Sequence, residues 1–105
     1  MLSSMRTEAF RRFLEDAESI KSKNKAVSSR ISKAAAAESI LGHDLDTIVV
    51  SDQKMYEALL KIQSDPREKS GNIQNALRWY YRFATGKEFP RLDIFQYSMR
   101  SKASW

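Results

Sequence analysis

"NIQNALRWYYRFAT", residues 72–85, decides how this chain folds. Ile73, Ala76, Leu77, Tyr80 and then Phe83 or Ala84 recur at three- and four-residue steps, the mark of one apolar stripe along an α-helix. Tyr81 adds to the apolar bulk. Gly86 follows as a natural stop, because glycine tolerates the left-handed conformation just past a helix end. The tyrosines and Phe83 therefore belong mostly to a core. Trp79 falls off the stripe, near Asn72, Asn75 and Arg82, and is expected half exposed and packed against the C-terminal tail. The polar half of this helix, not its aromatic side, is the better candidate for contact with a partner.

Working outward, the 3 glycines and 2 prolines of the chain cluster at joints, and the stretches between them favour helix over strand. A first helix is expected at about 7–22, with Thr7 as N-cap, Glu8 in the first turn, and a stripe of Phe10, Phe13, Leu14, Ala17 and Ile20. "KSKN" links it to a second at about 25–41, with a turn at Asn24. There Val27, Ile31, Ala34, Ala35 and Leu41 lie near one face, and Lys25, Ser29, Arg30 and Lys33 spread over the other. Gly42 stops it. "HDLDTIVVS" (43–51) reads as an extended link whose Leu45 and Ile48 plug the core. Ser51 caps a third helix at about 52–63, with a stripe of Met55, Leu59 and Ile62. "SDPREKSG" is a polar loop, in which Pro66 disfavours helix at Asp65. The fourth helix is 72–85. The tail, 87–105, is broken by Pro90 and has room for a short fifth helix around 92–99. The expected fold class is all-α, a compact bundle of four main helices in a single domain spanning the 105 residues.

Composition narrows the functional classes. With 0 cysteines, disulfides and thiolate metal sites are excluded, and the expected setting is a reducing cytoplasm. No apolar run approaches the roughly 20 residues needed to cross a bilayer, and "MLSSMRTEAF" lacks the apolar stretch of a signal peptide. The net charge of +5 is unevenly spread. Residues 21–41 hold five cations (Lys21, Lys23, Lys25, Arg30, Lys33) against Glu38 alone, and 66–105 is likewise basic. Residues 1–20 and 42–65 are acidic on balance. Alternating basic blocks are the electrostatic footprint of a phosphate-backbone binder, and equally of a solvated surface.

Catalytic readings fail early. His43, the 1 histidine, stands beside Asp44 and Asp46 in "GHDLD", but no second histidine or cysteine completes a transition-metal shell. The segment reads instead as a turn, with Asp44 or Asp46 bonding nearby backbone amides. No nucleophile elbow is present, and "TGK" at 85–87 lacks the first glycine of a phosphate loop. A non-catalytic protein without cofactor is expected.

The basic segments carry more. In "KSKNKAVSSRISK" (21–33), Lys and Arg supply point charges, Ser and Asn supply short hydrogen bonds, and a helix N-terminus supplies free N–H groups, all suited to phosphate. Ser29 and Lys33 share a helical face, with Arg30 adjoining. In "SGNIQNALR", Asn72, Asn75 and Arg78 step along one side, and these side-chain types suit bidentate base contacts and equally serve as ordinary helix-capping and surface residues.

Taken in order, the pieces resemble the N-terminal core-binding, SAM-like domain of tyrosine recombinases, the phage-integrase family. They are an "F..FL" helix (Phe10, Phe13, Leu14), "KNKAVSSRISKAAAAESILG", the connector "HDLDTI" and a last helix "NIQNALRWYYRF". The resemblance covers about 8–86. It implies a four-helix unit that clamps one side of duplex DNA with its second and fourth helices. Carried over by position, Lys23, Asn24, Lys25, Ser28, Ser29, Arg30, Lys33, Asn72, Asn75 and Arg78 would face the DNA. Family members continue into a catalytic domain with arginines, histidines and a tyrosine nucleophile. Tyr97 sits in no such setting, so strand cleavage by this chain is not expected.

The alternative is a protein-interaction module, such as a small regulator or inhibitor encoded by a mobile element. Phe89, Leu92, Ile94, Phe95, Tyr97, Met99 and Trp105 give the tail more apolar groups than a solvated segment needs. They either finish the core or form a partner or self-association surface. No membrane role is expected.

Overall fold

The computed structural model describes residues 6–16 and 23–92, with the side chains of Lys23 and Asn24 left aside. Among them lie five α-helices and no strand: α1 (Thr7–Asp16), α2 (Lys23–Leu41), α3 (Leu45–Ile48), α4 (Asp52–Gln63) and α5 (Asn72–Thr85). The all-α bundle read from the sequence is the fold, with one helix more than expected. None of the described helices is long and apolar enough to cross a membrane.

α5 and α2 share the most extensive helix–helix contact. The residues that allow it are small. Ala34 and Ala37 of α2, and Ala76 of α5, are fully enclosed, so the two backbones approach without a bulky side chain between them. Around this seam Phe10 and Leu14 of α1, Leu45 of α3, Met55, Leu59 and Ile62 of α4, and Leu77 and Tyr80 of α5 close one apolar cluster at 0% exposure. The tertiary contacts thus pack α5's stripe as its periodicity indicates. Phe83 is only partly buried, and Ala17 and Ile20 lie outside the described residues.

Helix ends follow local chemistry. Ser51 Oγ accepts the Lys54 N–H at 3.3 Å, as expected of an N-cap. Gly42 and Gly86 end α2 and α5 at φ +71° and +78°, a region that a side chain penalises. Two boundaries differ from expectation. α1 begins with the Phe10 N–H bonded to the Arg6 carbonyl at 2.9 Å, so Thr7 is the first helical residue and not the cap. α2 begins at Lys23, which places Asn24 in the helix and not in a turn.

The inward face of α2 also differs. Val27, Ala34, Ala37 and Leu41 are buried, whereas Ile31 and Ala35 are half-exposed. The expected stripe was rotated by part of a turn, because neighbouring helices, not hydropathy alone, choose which residues of an alanine-rich helix face in.

The larger correction is the connector. Residues 45–48 form a helical turn, not an extended link. Asp44 enters it in extended conformation, φ −66° and ψ 141°. Across the joint, the Glu38 carboxylate accepts the Leu45 N–H at 3.0 Å. The turn then closes through the Val49 N–H and the Leu45 carbonyl at 3.0 Å. A lone strand would leave its backbone groups without a ladder, whereas one helical turn satisfies part of its own. The β-branched preference of "TIVV" yields to that requirement. Leu45 and Ile48 plug the core, as the sequence suggested.

Candidate nucleic-acid interface

The outer side of α5 carries Asn72, Asn75, Trp79 and Arg82, spaced i, i+3, i+7 and i+10, which is one row along a helix. Trp79 is the half-buried centre of that row. Its ring meets Phe13 of α1 edge-on, with centroids 6.1 Å apart. The Arg30 guanidinium of α2 lies 5.4 Å from the ring centroid, and that of Arg82 lies 5.3 Å from it. The expected partner for Trp79 was the tail. Among the described residues Trp79 meets α1 and two arginines and shares a cleft with Glu88 and Phe89 of the tail; tail residues 93–105 lie outside the described residues.

Arg30 reaches the ring because of where it stands on α2. It follows Val27 by three residues and precedes Ala34 by four, so it occupies the edge of the inward stripe and not the opposite face. Its aliphatic stem runs along apolar surface while the planar head lies against the indole. Nε is buried and has no hydrogen-bond partner among the described residues. Leaving such a donor unmade costs on the order of 1–3 kcal/mol, which cation–π attraction of about 0.5–2 kcal/mol partly offsets.

The other sequence-derived site residues sort around this centre. Lys33 is half-exposed one turn beyond Arg30, and Ser29 is exposed on the same flank. Lys25 is exposed further round. Lys25, Ser29 and Lys33 are spaced i, i+4 and i+8, one row that leads away from Arg30, whereas Ser28, also exposed, stands off that row, about 160° round the helix from Arg30 at 100° per residue. Asn72 and Asn75 are exposed on the Trp79 row. The side chains of Lys23 and Asn24 lie outside the described residues.

Arg78 is engaged with the tail. It is half-buried, and its Nη1 donates to the carbonyls of Phe89 (2.9 Å) and Pro90 (3.2 Å). Burial lowers its pKa from the ordinary arginine value. Arg78 therefore ties the start of the tail to α5. Phe89 is buried there, edge-on to Tyr81 at 5.2 Å, and Leu92 packs against the core. These two tail residues finish the core. Ile94, Phe95, Tyr97, Met99 and Trp105 lie outside the described residues.

Asn75, Arg78, Trp79, Arg82, Glu88 and Phe89 line a cleft of about 440 Å³. Glu88 is its acidic member, 3.4 Å from Arg82, and both are solvent-exposed. Such a pair is worth little and is easily exchanged for another anion. The amino end of α5 is not free for that purpose. The Glu68 carboxylate accepts the N–H groups of Ile73 (2.9 Å) and Gln74 (2.7 Å), filling the position that a phosphate would take at a helix start. The sequence reading missed both Glu68 and the central place of Arg82.

The inner side of α5 is chemically opposite. Tyr80 donates to Asp46 Oδ1 at 2.7 Å and accepts the Arg6 backbone N–H at 3.2 Å. Arg6 Nη2 also reaches Asp46 Oδ1 at 3.2 Å. Tyr81 donates to Asp52 Oδ1 at 2.8 Å. Burial, reinforced by these carboxylates, raises the Tyr80 pKa and pushes that of Tyr81 up to about 12. Asp46 therefore serves a distant tyrosine and an arginine. Among the described residues, no group of three or more His, Asp or Glu side chains gathers as a metal site.

No protein-family model, curated protein or solved structure matches the chain.

Proposed function

We propose that this chain is a non-catalytic module that binds duplex DNA through its phosphates, in the manner of the integrase core-binding domains that its sequence resembles. The observation that carries the reading is the Trp79 ring, which holds Arg30 of α2 and Arg82 of α5 on one surface. Cations from both basic blocks of the sequence meet there, with Lys33 and Ser29 beside them. Lys25 extends the surface, and Asn72 and Asn75 offer amides along its α5 edge. Arg78, committed to carbonyls of the tail, supports the surface from behind. With both arginines against its ring, Trp79 is a scaffold for cations more than a platform for stacked bases.

Fluorescence polarisation with a mixed-sequence duplex of about 30 base pairs tests this. Engagement of Lys25, Arg30, Lys33 and Arg82 gives a log–log salt slope of about −3 to −4. The double charge reversal Lys25→Glu/Arg30→Glu is expected to weaken binding at least about tenfold, with an unchanged far-UV circular dichroism spectrum. Unchanged affinity in a folded variant would sink the reading.

A further inference from the structure

A second concavity lies away from the Trp79 face. Leu41 at the end of α2, Thr47 and Ile48 of α3, and Lys54, Glu57, Ala58 and Lys61 of α4 line a groove of about 320 Å³, with His43 at its rim. Its floor is apolar: Leu41, Ile48 and Ala58 are buried beneath it. Lys54 and Lys61 stand two helical turns apart on α4, one towards each end of the floor. None of the ion pairs among the described residues uses either ammonium. The rim carboxylate, Glu57, accepts a hydrogen bond from Gln53 Nε2 at 2.9 Å. Thr47 Oγ1 is turned to the Asp44 carbonyl at 2.6 Å.

The geometry points to a binding site for a small amphipathic anion. The ligand would be an acyl or aryl group with one acidic head, its apolar part on Leu41, Ile48 and Ala58 and its head at Lys54 or Lys61. The volume falls at the lower end of small-ligand pockets, about 300–1,000 Å³. An ammonium outside any of these salt bridges, beside an apolar floor, selects charge and hydrophobicity together, whereas a merely solvated lysine face selects charge alone. The site shares no residue with the DNA-binding surface and does not depend on that reading.

Titrating the ¹⁵N-labelled chain with octanoate, octan-1-ol and acetate tests it. Octanoate is expected to shift the amide resonances of residues 41–61 saturably. Acetate and octan-1-ol should each bind at least about tenfold more weakly, and each methylene removed from the acid should cost up to about fourfold in affinity. Lys54→Gln/Lys61→Gln should bring octanoate down to the level of octan-1-ol, and Ala58→Leu should close the floor to both. The proposal is overturned if acetate matches octanoate, if the shifts fall outside the groove, or if no shift occurs at millimolar octanoate. These three outcomes are read on the wild-type chain, so misfolding of a variant has no bearing on them.

Discussion

Trp79 and Tyr80 are neighbours in sequence and face different chemistry. Tyr80 is fully enclosed, its ring 5.0 Å from Phe10, and its hydroxyl sits between Asp46 and the Arg6 amide. Trp79 is half-buried with arginines against its ring. One step of 100° around α5 moves from the acidic connector to the basic surface. The helix is thus a divide: aspartates of the acidic block are bound on the tyrosine side, and the two basic blocks meet on the tryptophan side. The two sides differ in what holds them. Tyr80 combines a packed, enclosed ring with directed hydrogen bonds. Trp79 offers an apolar plate against which two guanidinium groups rest. Aromatic residues in one short run can therefore be core on one side and scaffold for a charged surface on the other.

The most direct way to break this comparison is to truncate both rings. Tyr80→Ala should cost about 3–5 kcal/mol in denaturant unfolding, as enclosed aromatics do. Trp79→Ala should cost about 1–2 kcal/mol, because half its surface is already wet. Equal losses would mean that the two sides are one core.

DNA affinity should separate them in the opposite order. Arg30→Ala/Arg82→Ala is expected to lose about 1.4–2.8 kcal/mol of binding, or ten- to a hundredfold at low salt. Tyr81→Phe should stay within about twofold of the parent in the same assay.

Tyr81→Phe should instead lower stability by about 1 kcal/mol, the net worth of one hydrogen bond to a charged acceptor that keeps access to water. It should also reshape the alkaline limb. The folded-state pKa of Tyr81 is raised from 10.0 to about 12, so the folded chain holds its proton where the unfolded chain has released it. The stability this gives is complete below pH 10 and is lost as pH rises towards 12. Thermal melts across that window should fall more steeply for the parent than for Tyr81→Phe; parallel slopes would argue against the Tyr81–Asp52 pair.

The smallest effect sharpens the view of α5's amino end. Glu68→Gln keeps hydrogen-bond acceptors but removes the charge that faces the helix dipole, and should cost about 0.3–1 kcal/mol. If the neutral end instead strengthens DNA binding, the vacated N–H groups extend the surface towards Asn72.

What the sequence by itself determined are properties settled within a turn or two of chain. The periodicity of 72–85, the Ser51 cap and the glycine stops after Leu41 and Thr85 all needed only near neighbours, and all match the structure. So did the row of Asn72, Asn75, Trp79 and Arg82, legible from spacing alone. Tertiary structure decided the rest. "TIVV" became part of a helical turn because no strand was at hand among the described residues and Glu38 was. Tyr80 found Asp46 34 residues away, and Tyr81 found Asp52 29 residues away. Arg30 turned to Trp79, and Arg78 to the tail, because of how α2, α5 and the tail cross. Local rules tell a side chain which conformations it prefers. Only the packing of whole helices brings a particular carboxylate, ring or carbonyl within the few ångströms over which a polar group selects its partner.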